Sequence, residues 1–310
     1  MTIVVAGGTG LAGSAIVRAY QSTGAEVIAL NRSVVDLLDR DATTSFLKKA
    51  KPSIVVDAAA KVGGIGANNA FPVEFLADNV RIQSNLMEAA HAADVEKFIF
   101  LGSSCIYPRD CAQPIKEEYL MTGPLEETNS AYAIAKIAGI ELIKSFRKEY
   151  DRKWISLMPT NLYGPKDNFE LQGSHVLPAF IRRFVEAKES SRAKETLWGT
   201  GSPMREFLHV DDLASAVVTA GEKYDSAQHL NIGSGEDLTI KALAELVAEL
   251  AGFKGEIAWD SSKPDGTPRK VLDVTKVKSL GWSPAISLRD GIASTIEWYI
   301  DATAKGVSRR

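Results

Sequence analysis

Apolar runs rich in β-branched residues recur along the first half of the chain: Ile3 to Ala6, Glu26 to Leu30, Ile54 to Ala58, Lys97 to Leu101 and Trp154 to Met158. Segments of helical composition separate them. Strands that read as nearly continuous hydrophobics are those covered by helices on both faces, so the alternation predicts an α/β protein with a doubly wound parallel sheet. Beyond Pro159 the pattern loosens into Asn161-Leu162-Tyr163-Gly164-Pro165, a polar stretch to Ser174, a basic helix around Arg182 and Arg183, and the turn-rich Trp198 to Pro203. A second, ligand-capping region is expected to begin there. Val210 to Lys223 has helical spacing, with Asp211 or Asp212 suited to cap its start, so it can pack back on the sheet. Lys241 to Ala251 reads as another amphipathic helix, and Ser261 to Arg269 is too rich in turn formers for regular structure.

Composition narrows the class. The chain has 310 residues, 45% of them hydrophobic, enough for a large core. A net charge of -3, with acidic and basic residues mixed, gives no broad basic surface of the kind nucleic acid or an anionic membrane requires. The N-terminus enters directly into an apolar run without the basic region of a secretory signal, and no apolar stretch reaches membrane-spanning length. Cys105 and Cys111, the two cysteines, are too few to staple such a chain and lack zinc-site spacing. A reducing cytoplasm is the expected location.

Gly7-Gly8-Thr9-Gly10-Leu11-Ala12-Gly13 follows the first strand and opens a helix at about residue 11. Glycines at 7, 10 and 13 allow a tight turn and close backbone approach to a pyrophosphate, which the helix N-terminus then faces with unpaired N–H groups. The second strand ends in Asn31-Arg32-Ser33, where an NAD-binding protein places an acidic residue on the ribose. An arginine there pairs with a 2′-phosphate instead, which favours NADP; the alternative is a solvated loop arginine. Asp36 and Asp39 follow, either to reach adenine or to cap the next helix.

Tyr132 and Lys136, four residues apart on an Ala- and Ile-rich segment, share one helix face. A phenol titrates near pH 10; a neighbouring ammonium and a positively charged nicotinamide are expected to lower this, letting Tyr132 exchange a proton with a carbonyl oxygen. Ser103, at the end of the fourth strand, can hydrogen-bond the same oxygen. Most Tyr-x-x-x-Lys pairs are only helix surface; the glycine turn and the strand-end serine change that reading.

Together these residues resemble the extended short-chain dehydrogenases/reductases over nearly the whole chain. Further strings carry a closer resemblance: Ala58 to Ile65, Leu101 to Pro108, Met158 to Pro165, Pro203 to Val210 and Lys263 to Lys270. They are similar to the branch that epimerises GDP-4-keto-6-deoxy-D-mannose at C3 and C5 and reduces C4 with NADPH. The resemblance implies a Rossmann-type NADP-binding domain at residues 1–164 with a returning segment near 206–232. A smaller C-terminal α/β domain, residues 165–205 and 233–310, would bind the GDP-sugar.

The same resemblance implies roles. Cys105 looks like the base and His175 like the acid of epimerisation, with Ser103 and Tyr132 holding the enolate oxygen. Strand alternation is expected to point Ser103 and Cys105 to one side. Without the family, Cys105 reads as a small buried hydrophobe and His175 as a capping or core histidine. Leu101, Gly102, Ser103, Ser104, Lys136, Pro159, Thr160, Asn161, Leu162 and His175 match cofactor-contacting positions; Arg183, Trp198, Arg205 and Asp265 match substrate-contacting ones. Arg182 could equally be the inward arginine. Thr9 departs from relatives that carry a basic residue there, leaving Arg32 as the main mark of NADP. A homodimer through helices including Tyr132 to Tyr150 is implied; a metal is not. A related GDP-sugar enzyme, such as one making GDP-L-colitose, or a non-catalytic NADP-binding protein are the rival readings.

Overall fold

A computed structural model describes residues 1–171, 173–263 and 265–308; Gln172, Pro264 of the turn-rich loop, Arg309 and Arg310 lie outside the described residues. The chain begins β1 (Thr2–Ala6), α1 (Leu11–Ser22), β2 (Glu26–Leu30), α2 (Arg40–Ala50), β3 (Ile54–Asp57), α3 (Ile65–Ala70), α4 (Pro72–Ala92) and β4 (Lys97–Leu101). It continues through α5 (Ser130–Tyr150), β5 (Ile155–Pro159), β6 (Asn161–Tyr163), α6 (Val176–Glu189), β7 (Lys194–Trp198), β8 (Met204–His209) and α7 (Val210–Lys223). The remainder is β9 (Leu230–Ile232), β10 (Asp237–Thr239), α8 (Ile240–Ala251), β11 (Glu256–Asp260), β12 (Arg269–Lys270), α9 (Thr275–Ser279) and α10 (Leu288–Ala304).

The main sheet runs β2-β1-β3-β4-β5-β9, all parallel. Its first five members are the apolar runs of the first half, and the sixth arrives from the returning segment. Helices cover both faces. Gly139 in α5 lies against the Phe100 ring, whereas Gly221 in α7 approaches Ile99; neighbouring strand residues point to opposite faces, so α5 and α7 lie on opposite sides. Burying side chains such as Ile3, Val55, Phe98 and Leu157 completely contributes roughly 1.5–3 kcal/mol each. The strand order reverses beside β1: the chain steps out to β2, then crosses back to β3. Ligands of open α/β sheets bind at the carboxyl ends of strands at such a point.

The second apolar cluster packs α6, α8 and α10 around Phe169, Phe184, Leu243, Val247 and Tyr299. β8 joins the two halves, pairing parallel with β6 and β12 and antiparallel with β10, while β7 and β11 form a separate parallel pair. Leu272, Val274, Val277 and Trp282 pack into the first cluster although they lie late in the chain.

One local expectation changes and one open alternative is decided. The cap of α7 is His209, whose Nδ1 accepts from the Asp211 amide at 3.2 Å. Asp212 instead accepts from the backbone N–H groups of Ala285 and Ile286, and Asp211 pairs with Arg18. Asp39 does cap α2, accepting from the Ala42 amide at 2.9 Å.

Candidate active site

A cleft of about 2210 Å³ opens where the carboxyl ends of the sheet meet the second apolar cluster. Gly7, the first residue beyond β1, adopts a left-handed φ of 72°, and a Cβ on it would lie 2.7 Å from the Ala58 carbonyl oxygen. Gly13 is more confined: its Cβ would lie 2.1 Å from the Gly7 oxygen. These contacts press the turn onto the start of α1. Gly10, the α1 cap, makes no side-chain cap, and the first turn of α1 holds no acidic residue. Open space lies before Gly10, since a Cβ there would meet only the Gly7 oxygen, at 3.4 Å. An uncapped helix start behind a glycine cradle, with Arg32 on the same cleft, fits a dinucleotide pyrophosphate and a 2′-phosphate. Gly8 faces elsewhere: its amide donates to the Leu30 oxygen, and Ala29 fills the space beside it.

The cleft also takes in Ser103, Cys105 and Tyr132. Ser103 and Cys105 come together by a different route from strand alternation, because β4 ends at Leu101 and a single 3-10 turn follows. Ser103 caps that turn, its Oγ accepting from the Cys105 amide at 3.3 Å. Tyr132 stands edge-on to Phe75. One turn on, Lys136 is buried below the cleft, its ammonium 5.8 Å from the Tyr132 ring centre and 4.8 Å from that of Phe100. Its Nζ donates to the Leu101 carbonyl at 2.9 Å. Leu101 and Lys136 thus support the cleft from beneath.

Electrostatics differ from the simple expectation. Burial, and after it Cys105 and Asp57, push the Tyr132 phenol well above its usual range. A raised pKa keeps Tyr132 protonated, the form a proton donor needs. Burial also raises the Cys105 thiol, opposed by Lys270, Ser103 and Lys136. His175, the residue before α6, makes no cap with its side chain and opens onto the cleft. Crowding by the cleft walls lowers its pKa.

Pro159, Thr160, Asn161 and Leu162 line the cleft beside these groups. At the far end Arg183 lines it and Arg182 does not: Arg182 pairs with Glu186, while Arg183 donates to Glu195 Oε1 and the Thr196 oxygen, both at 2.6 Å. Trp198 is 71% exposed, so its indole is open to contact from the cleft. Lys263 stands over it at 5.7 Å. Asp265 accepts from the Thr200 amide and hydroxyl, and burial lowers the pKa of Arg205, opposed by Asp265 and Glu126.

Several cleft residues escape the sequence. Glu195, in a segment without pattern, is buried between Arg183 and Arg192. Lys270, within the matched 263–270 string, lies where burial lowers its pKa, opposed chiefly by Cys105. Asn68, Asn129 and Ser174 line the cleft, each with a buried oxygen lacking a hydrogen-bond partner. Unpaired buried oxygens of this kind suit ligand hydroxyls. Polar residues in loops carry no periodic signal, so only the folded chain brings these three together.

A glycine turn on a parallel sheet, with Ser103 and Tyr132 lining one cleft and Lys136 beneath it, fits a dinucleotide-dependent oxidoreductase of the short-chain type. The chain belongs to the NAD dependent epimerase/dehydratase family, whose model matches residues 3–233. GDP-L-fucose synthase 1 of Arabidopsis thaliana is 52% identical over 96% of this chain and 93% of its own length. GDP-L-fucose synthase of Escherichia coli is 48% identical over 96% of both. A GDP-L-colitose synthase of Yersinia pseudotuberculosis is more distant, at 36% over 97% of this chain and 98% of its own. Among solved structures, a GDP-L-fucose synthetase from Naegleria fowleri bound to NADP superposes with a TM-score of 0.92 at 28% identity, covering 100% of this chain and 96% of that one.

Proposed function

We propose that the protein converts GDP-4-keto-6-deoxy-D-mannose to GDP-L-fucose, inverting C3 and C5 and then reducing C4 with NADPH. One observation carries this: a single cleft holds the glycine turn with Arg32, the group Ser103, Cys105, Tyr132 and His175, and the set Arg183, Trp198, Arg205 and Asp265. Names of relatives over nearly the full length support the substrate.

The carbons flanking a ketone are acidified by it, so each inversion needs a base on one face, an acid on the other, and donors for the enolate oxygen. Cys105 takes the proton from C3 or C5 as thiolate, and His175 returns one to the opposite face. Ser103 and Tyr132 hydrogen-bond O4 throughout. When bound, the dinucleotide supplies the hydride that adds to C4. Tyr132 then gives its phenolic proton to O4, and Lys136 beneath it stabilises the phenolate left behind. The same oxygen-binding pair thereby serves both reactions. Gly7, Gly10, Gly13 and the α1 start would hold the pyrophosphate and Arg32 the 2′-phosphate. Arg183 and Arg205 would hold the GDP diphosphate, with Trp198 against the base and Asp265 on hydroxyls.

This reading assigns residues 1–164 and 206–232 to the NADP-binding domain and 165–205 and 233–310 to the GDP-sugar domain. It places the enzyme in the cytoplasm, supported by two free cysteines; no helix among the described residues is long and apolar enough to cross a membrane. Two copies pair through α4 and α5, which expose Val73 and Ile134; sedimentation tests this.

The function is tested by incubation with NADPH and the 4-keto GDP-sugars in turn, with product NMR. GDP-L-fucose is expected. Release of GDP-L-colitose alone, from the 3,6-dideoxy substrate, would transfer the reading to that relative. Tyr132→Phe should abolish reduction while NADPH binds as before; unchanged turnover removes Tyr132 from its role.

A further inference from the structure

Asp57, the last residue of β3, is wholly buried although it carries a carboxyl group. It does not line the cleft. Its Oδ1 accepts from the Ala59 amide at 3.1 Å, and its Oδ2 has no hydrogen-bond partner. An unpaired carboxylate oxygen in a protein interior is costly unless a counter-charge stands near. β3 and β4 pair in parallel with Asp57 opposite Phe100. Residues at one register point to one face, so the carboxyl shares the face on which the Lys136 ammonium stands over the Phe100 ring. Lys136 is itself buried, with its hydrogen bond going to the Leu101 carbonyl, a neutral group.

We propose that Asp57 is a positioning residue of the proton-transfer centre: its buried carboxylate is the counter-charge that keeps Lys136 an ammonium beneath Tyr132 and so sets the pH at which the centre loses its proton. The proposal rests on the Tyr132 and Lys136 roles given above. The charged and titratable groups around the pair are few. Asp57 interacts with Lys136; Lys136 with Asp57 and Cys105; Tyr132 with Cys105 and Asp57; Cys105 in turn with Lys270 and Lys136. Burial raises the Asp57 carboxyl to about 6, against the pull of Lys136 and the Ala59 amide, and lowers Lys136 against the pull of Asp57. Asp57 is therefore ionised at neutral pH, and its charge holds both Lys136 and Tyr132 in their protonated forms.

Reduction leaves a Tyr132 phenolate that the Lys136 ammonium stabilises, and burial lowers the pKa of Lys136, so the rate falls on the alkaline side as Lys136 loses its proton. Removing the Asp57 charge makes that proton easier to lose, and Asp57→Asn should move that alkaline limb down by about one pH unit. Single-turnover NADPH oxidation across pH reads the limb. A merely structural Asp57 would lower the melting temperature and leave the limb in place, which overturns the proposal. A second measurement needs neither activity nor a folded Asp57 variant. The carboxyl carbon of Asp57, followed by 13C NMR, should titrate near 6 in the native chain and at higher pH in Lys136→Met. An unchanged midpoint overturns the pairing. This arm separates the two readings: Tyr132→Phe retaining turnover would refute the catalytic assignment while leaving the Asp57 and Lys136 titration to stand or fall alone.

Discussion

Gly13→Ala puts a methyl group where the structure has least room. The new Cβ would lie 2.1 Å from the Gly7 oxygen, 2.6 Å from its carbonyl carbon and 3.0 Å from the Gly8 Cα, all backbone atoms. No side chain can swing aside, so the turn must lift from α1 by about an ångström to reach ordinary contact. Overpacking of this kind costs about 1–3 kcal/mol, a fall of several degrees in melting temperature for a domain of this size. The lifted turn also separates the pyrophosphate from the α1 amides. Losing charge-assisted hydrogen bonds worth about 1.5–3 kcal/mol weakens NADPH binding roughly 10- to 150-fold. Gly10→Ala is the control. Its Cβ meets only the Gly7 oxygen, at 3.4 Å, and the poorer helix cap is offset by a less flexible unfolded chain, leaving stability within about 1 kcal/mol. Its methyl group nevertheless stands where the pyrophosphate approaches. Nucleotide fluorescence titration and thermal melts read both variants. Gly13→Ala should lose stability and affinity together, Gly10→Ala affinity alone. Gly10→Ala binding NADPH as the native chain does would refute the placement of the pyrophosphate.

Arg32→Ala should weaken NADPH about tenfold and leave NADH unchanged, read by the same titration; equal losses for both would detach Arg32 from the 2′-phosphate. Arg183→Ala should raise KM for the GDP-sugar with kcat little changed, as loss of uniform binding does, and lower the melting temperature because Glu195 is left buried with Arg192 as its cation; a fall in kcat at constant KM contradicts a diphosphate role. Solvent exchange at C3 and C5 should be level across neutral pH. His175 titrates below its ordinary 6.5 and Cys105 above its ordinary 9.0, so the thiolate–imidazolium form has a constant share between them and declines outside; a steep slope between pH 7 and 8.5 would exclude that pair.

The first five strands are legible because buried parallel strands are hydrophobic throughout, and the glycine turn and Tyr132-Lys136 spacing because geometry fixes them. β8 illustrates the opposite case. Met204 to His209 carries Arg205 and Glu206 and reads as polar, yet Glu206 is wholly buried, accepting from the amides of Gly235 and Leu272 and the Ser234 hydroxyl. Its partners lie about thirty and sixty residues along the chain, beyond any local pattern. Asp57 ends an apolar run and resembles the polar stop of a strand; only the register with Phe100 shows which face it takes. Strand alternation predicts Cys105 beside Ser103, and it arrives there through a 3-10 turn instead, since β4 ends with its hydrophobic run at Leu101.

On this mechanism one cleft both epimerises and reduces. Turnover of GDP-4-keto-6-deoxy-D-mannose with NADPH in D2O, followed by NMR of the product, tests it most directly. GDP-L-fucose should carry solvent deuterium at C3 and C5 and protium from NADPH at C4. Reduced product that keeps protium at C3 and C5 would contradict it.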